Sequence, residues 1–115
     1  MAKYKRKDNN FSEETRELFI DNYVCWECGM NTWDCLHHVL PGEYSDSPFN
    51  AAPLCNAKCH INNGHYFSEL KKRQYLNDTA LYLLKHSYLP TERDIKFIEL
   101  NKAFYNEDIL NKLLK

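Results

Sequence analysis

Two close cysteine pairs constrain this chain more than any other feature: Cys25-x2-Cys28 and Cys55-x3-Cys59. The chain has 115 residues, a length that fits one domain, or one domain with a helical appendage. A core of that size gains from a metal staple. Structural zinc is four-coordinate and tetrahedral, and it takes thiolates from pairs spaced like these. A fifth cysteine, Cys35, makes the count odd, which argues against a closed disulfide framework. The spacing therefore predicts one structural zinc on Cys25, Cys28, Cys55 and Cys59, the alternative being that some of them are buried thiols. A four-thiolate site has no open position, so its work is to tie residues 29–54 into a defined loop. Cys35 is expected to be a buried strand residue.

Hydrophobic residues make up 43% of the chain and aromatic residues 14%, enough to build a packed core and to exclude a fully disordered chain. The formal net charge of -1 means that no global basic excess points to a nucleic-acid partner. The charge is unevenly spread. Between residues 25 and 65 Lys58 stands alone against Glu27, Asp34, Glu43 and Asp46, and the same stretch holds His37, His38, His60 and His65. Basic runs flank it, Lys3, Lys5, Arg6 and Lys7 before and Lys71-Lys72-Arg73 after. No apolar run approaches the roughly 18–20 residues of a membrane span. The basic start has no apolar stretch behind it, so no secretory signal is read and a cytoplasmic protein is expected.

The local pattern predicts an α+β chain without internal repeats. Ser12 is a suitable N-cap for a helix to about Asn22, with Glu13 and Glu14 in its first turn and Leu18 and Phe19 as anchors. A metal knuckle follows over residues 23–29, with Trp26 and Trp33 packed around it. Residues 33–39 read as a strand, Pro41-Gly42 as a turn, 43–50 as a loop and 52–54 as a second strand. A helix is expected from Lys58 past His65. Beyond it, Asn77 or Asp78 is expected to cap a helix through about His86, ended by Pro90. Thr91 and Asp94 resemble a capping box, with Ile95, Ile98 and Lys102 on successive turns behind it. A short helix closes the chain over 107–114. The expected organisation is a flexible basic N-terminus (1–11), a zinc-stapled core with its leading helix (12–66) and a helical C-terminal extension (67–115).

The loop bracketed by the cysteine pairs carries the chemistry. "CWECG" at 25–29 precedes "LHHVLPG" at 36–42, then comes Asn50, then "PLCNAKCH" at 53–60. In this order the sequence resembles the HNH endonuclease family in its zinc-stapled form, over about residues 23–66. The resemblance implies a small ββα-metal core, two strands and a helix around one divalent ion. It also implies metal-dependent cleavage of phosphodiester bonds, usually in double-stranded DNA, leaving 5′ phosphate and 3′ hydroxyl. His38 matches the family's general base and His37 a metal ligand. His60 matches the final histidine, a second ligand, and Asn50 the asparagine that holds the loop and orients the base.

The pattern departs from the family in two places. The second cysteine pair is separated by three residues instead of two, and the further histidine, His65, lies five residues after His60 instead of four. Five residues along a regular helix turn by about 500°, so the two side chains diverge by roughly 140°. His65 is a third ligand if Gly64 distorts the helix; otherwise Asn63 takes the place. Magnesium, manganese, nickel and zinc all remain open for such a site.

Each residue also has a plainer reading. His37 and His38 are otherwise second-zinc ligands or ordinary strand residues. Lys71, Lys72 and Arg73 contact DNA phosphates or simply solvate a helix face. Glu43 and Asp46 are expected to be solvated and His86 structural. The rivals to the nuclease are a non-catalytic zinc module that binds DNA or protein, and an accessory nuclease subunit of a phage packaging or recombination complex in a bacterial host. A homodimer is a further expectation where sequence specificity is needed.

Overall fold

A computed structural model describes residues 11–22, 24–26, 33, 35–54 and 68–114. Cys28, Cys55, Cys59, His60, Asn63, His65, the helix expected from Lys58 and the basic run at 3–7 lie outside the described residues. The described residues form a small α+β arrangement of four helices and one two-stranded antiparallel sheet. None of these helices is long and apolar enough to cross a membrane.

Helix α1 spans Glu13–Leu18, and its N-cap is Ser12, whose hydroxyl accepts from the Thr15 N–H. The helix stops short of the expected Asn22. Phe19 is fully buried and leaves helical geometry to reach the core. Asn22 then spends its side-chain amide on the Val24 carbonyl, 2.8 Å away, the kind of local bond by which Asn competes with helix.

Strand β1 (Cys35–His38) pairs with β2 (Ala51–Leu54), with His38 opposite Ala51, His37 opposite Ala52 and Cys35 opposite Leu54. The connection begins with the expected turn. Gly42 sits at φ +107°, a conformation that glycine adopts without the Cβ penalty. It ends in a single 3-10 turn, Pro48–Asn50, capped by Ser47. Ala51, Ala52 and Leu54 are fully buried, so β2 is the covered strand of the pair.

Helix α2 runs from Glu69 to Lys85 and covers β2. Here the sequence expectation needs correcting: the cap is Ser68, not Asn77 or Asp78, and it accepts from the Lys71 N–H. Asn77 lies in the middle of the helix and is buried. Its amide donates to the carbonyls of Arg73 and Phe104 and its oxygen accepts from the Asn106 N–H. Those tertiary partners hold an Asn where helix propensity alone disfavours it. Thr79 in the same helix donates to the Ala51 carbonyl (2.8 Å) and accepts from the Trp26 indole (3.0 Å).

Helix α3 (Glu92–Leu100) carries the expected capping box of Thr91 and Asp94. A 3-10 turn at Lys102–Phe104 and helix α4 (Glu107–Leu113) close the described chain. Tyr75, Leu76, Leu83, Phe97, Ile98, Ile109 and Leu113 join Phe19, Leu36, Phe49 and Leu54 in one apolar cluster. The C-terminal segment is thus packed into the same core as the hairpin.

Candidate active site

The hairpin places His38 at the last rung of the ladder, opposite Ala51, with Asn50 immediately before that partner. Asn50 is fully buried. Its side-chain oxygen accepts from the Leu40 N–H (2.9 Å), and its amide donates to the carbonyls of Leu40 (2.8 Å) and Ser45 (2.9 Å). The Val39 N–H donates to the Asn50 carbonyl. One asparagine therefore ties the chain just after His38 to the far side of the loop. The loop it spans includes Tyr44 at φ +62°, a left-handed conformation that a non-glycine residue keeps only when its surroundings hold it.

His38 is half-buried, and burial pushes its pKa below the usual histidine value while the Asp46 carboxylate pulls the other way. Burial disfavours the charged form, so the balance leans toward the neutral imidazole. One face of the ring is covered by Phe11, with centroids 4.0 Å apart and planes 14° from parallel. Asp46, expected to be only solvated, binds the Arg93 guanidinium at 2.8 Å on the surface, and Arg93 also stands over the Tyr44 ring.

His37 occupies β1 next to His38 and is half-buried. Successive strand residues point to opposite faces, so His38 shares a face with Leu36 while His37 projects from the other.

Residues 24–26, which include Cys25, lie alongside β2. The Trp26 N–H donates to the Pro53 carbonyl at 2.8 Å, and Cys25 beside it is buried. Strand β2 ends at Leu54, one residue before Cys55. Among the described residues, Trp26, next to Cys25, is thus bonded to the strand that ends just before the second pair. Among the described residues no three His, Cys, Asp or Glu side chains gather to hold a metal ion.

Trp33 donates its indole N–H to the Asn22 carbonyl at 2.7 Å and lies under the Arg16 guanidinium. His86 caps α2, with Nδ1 2.9 Å from the Tyr82 carbonyl and its ring against Tyr82. Lys71, Lys72 and Arg73 occupy the first turns of α2; Arg73 donates to the Ala103 carbonyl at 2.8 Å and stands over the Phe104 ring.

Two features escaped the sequence reading. Phe11, at the edge of the basic N-terminal run, is only 5% exposed and packs on His38. The box residue Asp94 is a buried hub, accepting from the Ser47 hydroxyl (2.7 Å), the Tyr88 hydroxyl (2.5 Å) and the Thr91 N–H (2.9 Å). It latches α3 to the turn before β2. The capping-box spacing was the only local signal for it.

No protein-family model, curated protein or solved structure matches the chain.

Proposed function

We propose that the protein is a metal-dependent HNH endonuclease that hydrolyses phosphodiester bonds in double-stranded DNA from a ββα-metal core. The observation that carries this reading is the Asn50 clamp. A buried asparagine bonded to Leu40 and Ser45 fixes the loop that leaves His38, and it does so from the position before His38's own ladder partner. Such a clamp supports the positioning role that the family resemblance implies for the middle asparagine.

In the proposed reaction the His38 imidazole takes a proton from the attacking water, whose oxygen bonds to phosphorus while the 3′ oxygen departs. Asn50 acts at a distance by holding the backbone around the base. His37 and His60, with His65 as a third candidate, are the proposed holders of a divalent cation (Mg, Mn, Ni or Zn). When bound, such an ion neutralises a non-bridging oxygen and the leaving oxygen.

Cys25, Cys28, Cys55 and Cys59 are the proposed holders of a structural zinc. The donor set fits that metal, and the Trp26–Pro53 bond, which holds the neighbour of Cys25 against the strand that leads to Cys55, supports it. Lys71, Lys72 and Arg73 are proposed phosphate contacts, and the proposed compartment is the cytoplasm.

One observation favours a second reading. The alternation along β1 sends His37 and His38 to opposite faces, as in an ordinary strand, which suits a non-catalytic zinc module for DNA or protein. Plasmid nicking separates the two. Zinc-loaded protein supplied with magnesium, manganese or nickel is expected to nick supercoiled DNA, and His38→Ala to lose that activity. No cleavage with any of the three ions, or His38→Ala cutting as well as wild type, removes the nuclease reading. Cleavage that appears only with a partner protein points to the accessory-subunit form.

A further inference from the structure

We infer that Phe11 is a positioning residue for His38, fixing the plane of the imidazole that the proposed nuclease uses as its base. This inference rests on the nuclease reading. The backbone of His38 is set by its ladder pairing with Ala51 and, just beyond it, by the Asn50 clamp. Neither constraint holds the ring. The terminal torsion of histidine is broad, so an imidazole without a wall samples many planes. Phe11 supplies the wall: the two rings lie 4.0 Å apart and 14° from parallel, and the phenyl ring is 5% exposed.

The wall is itself anchored. Phe11 directly precedes Ser12, whose hydroxyl caps α1 through the Thr15 N–H. The far end of that helix is held by the Tyr82 hydroxyl, which donates to the Leu18 carbonyl at 2.9 Å, and by buried Phe19 stacked on Tyr82. The phenyl ring is therefore carried by a docked helix.

The geometry suits a base. Both imidazole nitrogens lie in the ring plane, so a partner stacked on the face leaves the edge open to a water molecule. A flat, parallel surface fixes the plane, whereas an aliphatic side chain of similar volume fills the space without fixing it. Orientation of a reacting group carries large rate factors, and small misplacements cost up to about 100-fold.

The test compares Phe11→Leu and Phe11→Tyr with wild type in zinc-loaded full-length protein. The readouts are kcat and KM for cleavage of a short duplex, together with NMR shifts of the His38 ring protons. In wild type those protons are expected upfield, displaced by the Phe11 ring current. Phe11→Leu is expected to lose that displacement and to lower kcat by about 10- to 100-fold, with KM within about twofold and the fold retained. Phe11→Tyr is expected to keep both the displacement and most of kcat.

Absence of the upfield displacement in wild type overturns the inference whether or not Phe11→Leu folds. So does Phe11→Leu with wild-type kcat, or Phe11→Tyr losing as much kcat as Phe11→Leu. Wild type that cleaves while Phe11→Leu is indifferent removes this inference alone. Wild type that fails to cleave with magnesium, manganese and nickel alike removes the nuclease reading and this inference with it.

Discussion

Replacing Asn50 by alanine strikes the element that holds the proposed site together. Asn50 is fully buried, and its side chain makes three hydrogen bonds to backbone groups: the Leu40 N–H, the Leu40 carbonyl and the Ser45 carbonyl. Leu40 is buried, so truncation leaves its N–H and carbonyl without their partner. Each such loss costs about 1–3 kcal/mol. Ser45 is half-exposed and its carbonyl recovers a bond to water. The sum is about 2–6 kcal/mol, against a total of about 5–15 kcal/mol for an ordinary domain. At about 4 °C per kcal/mol for a chain of this size, Tm falls by about 8–24 °C. Urea titration and thermal melts followed by circular dichroism, at fixed zinc concentration, measure it. Glu43→Ala on the exposed part of the same loop is the control and stays within about 0.5 kcal/mol. An Asn50→Ala loss below about 1 kcal/mol refutes the clamp. If the variant, cooled until folded, cleaves DNA like wild type, the positioning role falls even though the stabilising one stands.

The Asp94 hub predicts an order of stabilities. Asp94→Ala removes the acceptor of the buried Ser47 hydroxyl and of the half-buried Tyr88 hydroxyl and costs about 2–4 kcal/mol, whereas in Asp94→Asn the hydroxyls can turn to accept and the cost is about half as large; equal losses in urea titrations contradict the hub. The Tyr105 hydroxyl is buried and has no hydrogen-bond partner among the described residues, so Tyr105→Phe is expected to keep or raise stability by up to about 1 kcal/mol, and a loss of that size in the same titration refutes the assignment. Burial raises the pKa of both Tyr88 and Tyr105, with Asp94 adding to it. Above pH about 10, the ordinary tyrosine value, the unfolded chain releases these protons while the folded one keeps them. The unfolded state then binds fewer protons, so this contribution is complete below pH 10 and stability falls as pH rises beyond it. Melts between pH 8 and 11.5 should show that decline, shallower in Tyr88→Phe; an identical slope in the variant contradicts it.

Much of the local structure was legible because its causes are local. Ser12, followed by two glutamates, and the Thr91/Asp94 box announce their helices through groups three residues apart. The Pro41-Gly42 turn follows from local turn chemistry in the same way. The start of α2 was misread because Asn77 and Asp78 resemble caps. The helical setting of Asn77 depends on Phe104 and Asn106, nearly thirty residues away. The early end of α1 depends on Phe19 finding the core, another long-range event.

The candidate site divides on the same line. The order of His38, Asn50 and the cysteine pairs is written in the sequence, whereas the bonds from Asn50 to Leu40 and Ser45 are seen only in the structure. The stacking of Phe11 on His38 and the link from Asp94 to Ser47 join residues far apart in the chain. No local spacing encodes either. The plain alternation of His37 and His38 along β1 is likewise a product of the ladder register and not of the His-His motif.

The central claim is that two separate metal sites flank one hairpin, one structural and one catalytic. Anomalous diffraction from crystals of the zinc-loaded protein soaked in manganese tests it most directly. The account predicts a zinc peak among Cys25, Cys28, Cys55 and Cys59 and a distinct manganese peak against His37 and His60. A single zinc peak with no manganese beside His37, or zinc bound by the histidines instead of the thiolates, contradicts it.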